Sequence, residues 1–398
     1  MSRPLLLLIL LLLLLPLPAA ALTISTDTTW RGERNLHEMV RVAPEVTLTI
    51  APDSVVHFSG GGLEVAGVLR IERSRIDGSG WSGIELKNCD QRTVLRDSVI
   101  SGARTAVLIG GGAPHLERLI LTDNDVGVEV RRKSAALITA CVFEKNRKVG
   151  LFVKDEAIPV VEGCRFSANG KYGAYIYRAV PQRFVGNQFA GNPTGLMIAY
   201  YGSDAQISAN HFTANGVAIE IDRAARPVVR GNRLTGNETG IRLYRRSDAQ
   251  ISGNLLARNR IAISVAYSSY PEISTNDFIA NQKALVLEYQ SSLWERERGS
   301  SERQSVANQQ GAFGRKAGTP VSEAERRPRL LDGKVRAMNN WWGAQGTAEL
   351  AHSDAQGNPS FIDDGRDTPT FAEGGKDYPL DIVVFTPWRT QAATTLQE

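Results

Sequence analysis

The chain has 398 residues, and 42% of them are hydrophobic, which is ample for a buried core. The formal net charge is only +4, and charges of both signs are dispersed along the sequence, so composition gives no argument for a nucleic-acid partner. The 37 glycines favour an architecture rich in turns.

Residues 1–21 are predicted to be a secretory signal peptide. Arg3 supplies a short positive region, residues 5–15 form an apolar run, and Ala19 and Ala21 fit the small residues of a cleavage site. The apolar run is too short to cross a bilayer comfortably. We therefore expect a mature chain without a membrane span that is secreted or periplasmic. An uncleaved N-terminal anchor is the alternative.

Residues 22–72 alternate apolar and polar positions, which predicts half-buried strands. The alternation is clear at Val46, Leu48 and Ile50, and it resumes at Val56 and Phe58. An open end of a strand stack exposes an unpaired edge. We therefore interpret this stretch as an N-terminal cap that includes the first strands.

A repeat of 22 or 23 residues dominates residues 73–290, and ISANHFTANGVAIEI (207–221) is a plain copy of it. A fixed period of this size indicates stacked supersecondary units. It predicts an all-β parallel β-helix of about 10–12 coils, each with one strand before the asparagine turn and a second at Gly-Ile-x-Leu. The large apolar residue of each copy, predicted to stack in the core, is Leu121, Phe143, Phe166, Phe189, Phe212, Leu234, Leu256 or Phe278.

The repeated asparagines are predicted to lie inside the coils. Equivalent residues of stacked strands are about 4.8 Å apart, so an inward asparagine can hydrogen-bond its counterparts in the coils above and below. A second, shorter ladder is expected from Asn187 to Asn276. The longer ladder comprises Asn124, Asn146, Asn169, Asn192, Asn215, Asn237, Asn259 and Asn281.

Cys141 and Cys164 occupy equivalent positions one repeat apart. Their expected separation lies inside the range for a disulfide, but parallel side chains are poor disulfide geometry. Two stacked buried thiols are therefore favoured, and a disulfide stays open as the alternative. Cys89 is expected to be unpaired.

Residues 291–334 interrupt the period with a polar segment that carries charges of both signs. We interpret it as a long excursion loop, expected to be mobile. One interpretation is an insertion without a role. The alternative is a lid or docking element, with Trp294 as its apolar contact. Residues 335–398 are predicted to form the last coil and a C-terminal cap. Asn339 and Asn340 fall at ladder positions of that coil, and Trp341 falls at its core position.

The repeats over roughly residues 40–345 resemble those of right-handed parallel β-helix proteins of the pectate-lyase-like superfamily. The segments NNWWG (339–343) and FTPW (385–388) resemble a closing segment of bacterial secreted β-helix proteins. The resemblance implies a right-handed, single-stranded helix. It implies little about activity, because this scaffold carries lyases, hydrolases, epimerases, adhesins and binding proteins.

Outward positions of the Gly-Ile-x-Leu strand and of the turn after it carry many aromatic residues. An exposed aromatic strip beside charged groups suits sugar rings, although exposed tyrosines are also common in strands. We therefore hypothesise noncatalytic binding or organisation of a polysaccharide or another cell-surface component. The predicted ligand-binding residues are Phe152, Tyr175, Tyr177, Tyr200, Tyr201, Tyr244 and Tyr267.

A carbohydrate-active enzyme, such as a polysaccharide lyase, hydrolase or epimerase, is the alternative function. Glu220 and Asp222 share one face of a strand with Cα atoms about 6.7 Å apart, which is compatible with the roughly 5–9.5 Å carboxyl separations of glycosidases. Arg242 is expected one coil above Glu220. A solvated surface ion pair is the plainer explanation.

No metal site or cofactor is predicted. The repeats also resemble the NosD-like periplasmic accessory proteins of nitrous oxide reductase maturation, which makes metal maturation a third hypothesis. A copper protein should group soft ligands, but the methionines are not clustered and the histidines are scattered. Asp363 and Asp364 could hold a divalent cation, or they could simply form a turn. The five histidines are His37, His57, His115, His211 and His352.

Overall fold

The computed structural model describes residues 21–297, 330–352 and 356–393. Within these ranges the chain winds into a right-handed parallel β-helix, which confirms the predicted fold class. Twelve complete coils each contribute one strand to each of three parallel sheets, A, B and C. No helix among the described residues is long and apolar enough to cross a membrane. The predicted signal peptide lies outside the described residues, except for residue 21.

Sheet A has the longest strands, with six residues in every strand from residue 149 to residue 288. It therefore presents the widest outer face of the helix. In spatial order, sheet A comprises β1 (Leu22–Ile24), β4 (Met39–Val42), β7 (Gly62–Val65), β10 (Ile84–Leu86), β13 (Thr105–Ile109), β16 (Val126–Val130), β19 (Val149–Lys154), β22 (Tyr172–Tyr177), β25 (Thr194–Ala199), β28 (Val217–Asp222), β31 (Thr239–Tyr244), β34 (Ile261–Ala266), β37 (Lys283–Glu288) and β39 (Ile362–Asp363).

Sheets B and C are narrower, because most of their strands have three residues. Sheet B comprises β2 (Thr28–Trp30), β5 (Thr47–Ile50), β8 (Val68–Glu72), β11 (Val94–Arg96), β14 (His115–Glu117), β17 (Leu137–Thr139), β20 (Val160–Glu162), β23 (Arg183–Val185), β26 (Gln206–Ser208), β29 (Val228–Arg230), β32 (Gln250–Ser252), β35 (Glu272–Ser274), β38 (Lys334–Arg336) and β42 (Ile382–Val384). Sheet C comprises β3 (Glu33–Leu36), β6 (Val55–Phe58), β9 (Arg75–Gly78), β12 (Val99–Ser101), β15 (Ile120–Thr122), β18 (Val142–Glu144), β21 (Arg165–Ser167), β24 (Gln188–Ala190), β27 (His211–Thr213), β30 (Arg233–Thr235), β33 (Leu255–Ala257) and β36 (Asp277–Ile279).

The prediction of two strands per coil is wrong, because each complete coil has three. The additional strand is the three-residue segment around the large apolar residue, as in β27, where Phe212 is buried between exposed neighbours. Asn210 precedes this strand and Asn215 follows it, so the chain turns on both sides. Three residues contain a single inward position, which is too few for an alternating pattern to mark a strand.

Coil stacking begins at Leu22, within the residues predicted as cap and first strands. Strands β1 to β8 already pair in parallel with the coils that follow; Ile24, for example, pairs with Val42. The strand pairing does not change at residue 73, where the predicted cap ends.

A stack of aromatic rings fills the middle of the core. The ring centroids of Phe166 and Phe189 are 4.6 Å apart, and the same spacing separates Phe189 from Phe212. Trp342 continues the column at 4.8 Å from Phe278. The prediction of Trp341 in this position is wrong by one residue, because Trp341 pairs with Asp277.

Two ladders of buried asparagines run beside this core. In each step the backbone N–H and the Nδ2 of one asparagine donate to the Oδ1 of the next, at 2.9 and 3.0 Å for Asn187 and Asn210. The eight predicted residues from Asn124 to Asn281 form one ladder. The second ladder comprises Asn187, Asn210, Asn232, Asn254, Asn276 and Asn340.

Cys141 and Cys164 take the asparagine position in the two coils before Asn187. Both are buried free thiols, as is Cys89. Cys141 donates to the carbonyl of Thr139 at 3.4 Å, so the turn carbonyls that asparagines satisfy elsewhere have a thiol partner here.

The C-terminal end of the helix is covered by several short segments. Helix α1 (Gly343–Leu350) packs on β36, and β40 (Thr370–Glu373) and β41 (Lys376–Pro379) form an antiparallel hairpin. The described ends of the excursion loop meet, because the Gly333 N–H donates to Ser292 Oγ at 2.9 Å. A helical segment occupies residues 292–297. Mobility is expected for the whole loop at residues 291–334, of which residues 298–329 lie outside the described residues.

Candidate functional site

The outer face of sheet A brings the predicted site residues into columns that run along the helix axis. Strand register places Glu220 opposite Met197 on one side and Arg242 on the other. One column of outward residues contains Phe152, Tyr175, Met197, Glu220, Arg242 and Ser264. A second contains Lys154, Tyr177, Ala199, Asp222 and Tyr244.

A third column follows at the turn that leaves sheet A. Its residues adopt positive φ angles, such as 53° at Arg223 and 50° at Tyr267, so the chain bends immediately after the strand. The column contains three arginines and three tyrosines. It comprises Arg178, Tyr200, Arg223, Arg245, Tyr267 and Tyr289.

The first aromatic cluster lies on β19, β22 and the turn after β25. Phe152 stacks on Tyr175 with ring centroids 5.0 Å apart, and Tyr177 packs edge-on against Tyr200 at 4.7 Å. The Arg178 guanidinium lies 5.4 Å from the centroid of Tyr177 and 5.3 Å from that of Tyr200. All four rings remain partly exposed, so they form an accessible aromatic surface with a cation beside it.

The second aromatic cluster lies nearer the C-terminal end of the same face. Tyr244 packs edge-on against Tyr267 at 4.7 Å, and Tyr267 stacks on Tyr289 at 5.1 Å. Burial, together with Tyr244, raises the pKa of Tyr267 to about 12. Tyr289 contacts Phe371 of β40 at 5.6 Å, so the β40–β41 hairpin bounds this end of the face.

Asp222 lies between the two clusters and is almost completely buried. Arg245 donates to both of its carboxylate oxygens, from Nε at 2.8 Å and from Nη2. The Arg223 Nε lies 3.8 Å from the same carboxylate. Asp222 is thus the anion of a bidentate ion pair, an arrangement that fixes the Arg245 side chain on this face.

Glu220 is the less engaged carboxylate of the predicted pair. Its contact with Thr194 Oγ1 is long, at 3.5 Å. Burial raises the pKa of Glu220; Arg242 counteracts the shift and Asp222 adds to it. Although Arg242 lies directly opposite in the register, the two side chains do not form an ion pair in the described structure. The arrangement can therefore supply one partly buried carboxyl group with a cation in the next coil.

The structure gathers most of the predicted ligand-binding residues into these clusters. Phe152, Tyr175, Tyr177 and Tyr200 belong to the first, and Tyr244 and Tyr267 belong to the second. Tyr201 follows Tyr200 in the turn toward sheet B. Sequence reasoning missed several members of the face, although aligning the residue after each Gly-Ile-x-Leu-x would have found the turn column. The missed residues are Tyr172, Arg178, Arg223, Arg245, Tyr289 and Phe371.

The two C-terminal aspartates considered for a cation are each paired with a cationic side chain. Asp363 accepts from Lys283 Nζ at 2.6 Å, and Asp364 accepts from Arg366 at 2.6 Å and from the Val383 N–H at 2.7 Å. Over the described ranges, no three His, Cys, Asp or Glu side chains group closely enough to hold a metal ion.

Comparison with known proteins supports the same architecture. A family model described as right handed beta helix region matches residues 56–205 and 183–295. No curated protein and no solved structure matches the chain. Because the two matches together extend over residues 56–295, which is more than half of the sequence, the chain belongs to the right handed beta helix region family.

Proposed function

We propose that the chain binds a polysaccharide along the outer face of sheet A without catalysing a reaction on it. The observation that carries this proposal is the alignment of partly exposed aromatic rings in columns parallel to the helix axis, from Phe152 to Tyr289. An extended polymer can follow such columns over many coils.

The chemistry of the face matches the two kinds of surface on a sugar. The apolar face of a sugar ring packs on an aromatic ring, as on Tyr175, whereas its hydroxyl groups need hydrogen-bond partners. Tyrosine hydroxyls and the guanidinium groups of Arg178 and Arg242 can supply those partners. Rings fixed by their neighbours also lose little conformational freedom on binding.

The charge arrangement favours binding over hydrolysis. Glycosidases use two carboxyl groups with separate roles, but here both oxygens of Asp222 accept from Arg245. Glu220 remains as a single carboxyl group on this part of the face.

A carbohydrate-active enzyme is the second candidate, and the environment of Glu220 favours it. A carboxyl group whose pKa is raised by burial is a suitable general acid or base near neutral pH. No observation on the described residues favours the third hypothesis, metal maturation.

A glycan array followed by titration calorimetry tests the proposal. We expect the double variant Tyr175→Ala/Tyr177→Ala to lose at least about tenfold in affinity, because it removes stacking surface. Gln206→Ala, an exposed substitution on sheet B, is the matched control. Unchanged binding by the tyrosine variant would contradict the assignment of this face. The unmodified chain could instead release reducing ends or unsaturated uronates. If Glu220→Gln abolished that release, the enzymatic function would be supported and noncatalytic binding contradicted.

We also propose that the protein acts outside the cytoplasm, on the basis of the predicted signal peptide. Expression of the full chain in a bacterial host, fractionation and N-terminal sequencing test this. Recovery from the periplasm or medium with residue 22 at the N-terminus is expected. Cytoplasmic protein that retains residues 1–21 would contradict it.

A further inference from the structure

The two aromatic clusters contain the same small motif. Tyr177 and Tyr200 meet edge-on with centroids 4.7 Å apart and planes at 64°, and Tyr244 and Tyr267 meet at 4.7 Å and 61°. Two tyrosine pairs with nearly the same geometry thus lie on one face of one sheet.

The sequence around the two pairs is also the same. The first residue of each pair ends a strand and is followed by arginine, as Tyr177-Arg178 and Tyr244-Arg245. In the next coil the second tyrosine follows alanine, at Ala199-Tyr200 and Ala266-Tyr267. Both alanines are buried, at 0% and 2% exposure. A small residue in this position leaves room for the ring of the neighbouring coil.

An arginine flanks each pair. The guanidinium of Arg178 lies over both rings of the first pair, and that of Arg245 lies 4.8 Å from the centroid of Tyr244 in the second. Each motif therefore combines an edge-on tyrosine corner with a planar hydrogen-bond donor beside it. The corner can hold a sugar ring while the guanidinium donates to its oxygens. In the second motif this donor is Nη1 of Arg245, because its Nε and Nη2 donate to Asp222.

The register fixes the distance between the motifs. Tyr177 pairs with Ala199, Ala199 with Asp222, and Asp222 with Tyr244, which makes three steps between neighbouring strands. At about 4.8 Å for each step, the equivalent atoms are about 14 Å apart along the axis. The intervening coil carries Asp222 and Arg223 in place of the tyrosine motif. It contacts both motifs, because Arg223 lies 4.7 Å from the centroid of Tyr200 and Asp222 accepts from Arg245.

We propose that these motifs are two equivalent subsites for one linear polysaccharide, and that the units they recognise lie about 14 Å apart along the polymer. This inference rests on the proposed polysaccharide-binding function. A chain that reaches both subsites binds the second one intramolecularly, which raises its affinity by about 10² to 10⁴ over a fragment that reaches only one.

Titration calorimetry of the full chain with cello-, chito- and galacturonate oligosaccharides, from disaccharide to octasaccharide, tests this inference. In the series that binds, we expect a stoichiometry of two ligands per protein when the oligosaccharide is too short to span about 14 Å. Longer oligosaccharides should bind with a stoichiometry of one. The affinity should rise by about 10² to 10⁴ once both subsites are reached.

Subsite variants separate the two positions. Tyr244→Ala should reduce the stoichiometry of short fragments from two to one and remove most of the additional affinity of long ones. Tyr177→Ala should have the same effect. The double variant Tyr177→Ala/Tyr244→Ala should bind neither short fragments nor long ligands. Tyr267→Ala tests the second subsite independently if Tyr244→Ala does not fold. Gln206→Ala should leave every value unchanged.

The outcomes distinguish this inference from the function on which it rests. A single short fragment bound by the unmodified chain, or long-ligand affinity unaffected by Tyr244→Ala and Tyr267→Ala, would overturn the pair of subsites while polysaccharide binding stands. Absence of binding to every series and to the array would overturn the proposed function itself.

Discussion

Arg246 and Glu295 form an ion pair at 3.2 Å in which both side chains are almost wholly buried, at 6% and 0% exposure. Arg246 lies in the turn that leaves β31, and Glu295 lies in the helical segment at residues 292–297. The pair therefore fixes the start of the excursion loop beside the second aromatic cluster. Two charges withdrawn from water in this way depend strongly on each other.

Glu295→Ala is expected to lower the free energy of unfolding by about 3–5 kcal/mol, because the buried guanidinium of Arg246 loses the carboxylate of Glu295. Urea denaturation measures the change. Glu297→Ala is the matched control in the same segment, since its ion pair with Lys376 is 39% and 49% exposed. The control should change stability by about 1 kcal/mol or less. Equal effects of the two variants would show that burial does not strengthen the first pair.

Asn210→Ala is expected to destabilise the helix by at least about 3 kcal/mol, because each buried polar group left without a partner costs about 1–3 kcal/mol. The variant removes the acceptor for two donors of Asn187 and the donor to the Phe184 carbonyl. Asn281→Ala, at the end of its ladder and partly exposed, should cost less. The comparison requires urea denaturation of both variants, and a larger loss at Asn281 would contradict the ladder account.

Phe189→Ala should cost about 3–5 kcal/mol, because it leaves a cavity in the middle of the ring stack. Phe189→Leu should cost about 1.5 kcal/mol or less, since it largely refills that space. Leucine already occupies this column at Leu234 and Leu256, where it is fully buried. Thermal or urea unfolding of the two variants tests the prediction, and similar losses would show that the column requires aromatic stacking.

Glu220→Gln should become more stable relative to the unmodified chain as pH rises. The pKa of Glu220 is raised in the folded state above its ordinary value of 4.5, so protonation favours folding. The contribution of Glu220 is therefore complete below the unfolded pKa and is lost as pH rises through the folded pKa. Urea denaturation at several values between about pH 4 and pH 7 measures the difference. Gln188→Ala, an exposed substitution without a titrating group, should follow the unmodified chain, whereas a constant difference for Glu220→Gln would contradict the raised pKa.

Most of the fold could be predicted from the sequence, because the repeat of 22 or 23 residues can be read directly along the chain. The column from Leu121 to Phe278 indicates where each coil returns to the same position, and the structure buries these residues in one core. The third strand could not be predicted, since three residues around Phe212 contain no alternation. The sequence pattern predicts Trp341 for the core position that Trp342 occupies, because the two tryptophans are adjacent and the repeat does not distinguish them.

The candidate site could be predicted only in part. Alternation along β22 and β28 predicts that Tyr175 and Glu220 face outward, but it does not predict which rings of different coils will touch. The arginine and tyrosine column depends on the left-handed conformation of residues such as Arg223 and Tyr267, which lies outside the strand pattern. Phe371 reaches the face from a hairpin distant in sequence, and no period relates it to Tyr289.

The asparagine ladders give the β-helix an electrical polarity that its backbone does not supply. Sheets have small net dipoles, but every Oδ1 in both ladders faces the preceding coil, from which it accepts its hydrogen bonds. Eight side-chain amides in one row and six in the other are therefore aligned in one direction along the axis. Aligned hydrogen-bonded amides polarise one another. The end of the ladders nearer the N-terminus is consequently the negative end of two long dipoles, and the end beside Asn281 and Asn340 is the positive one.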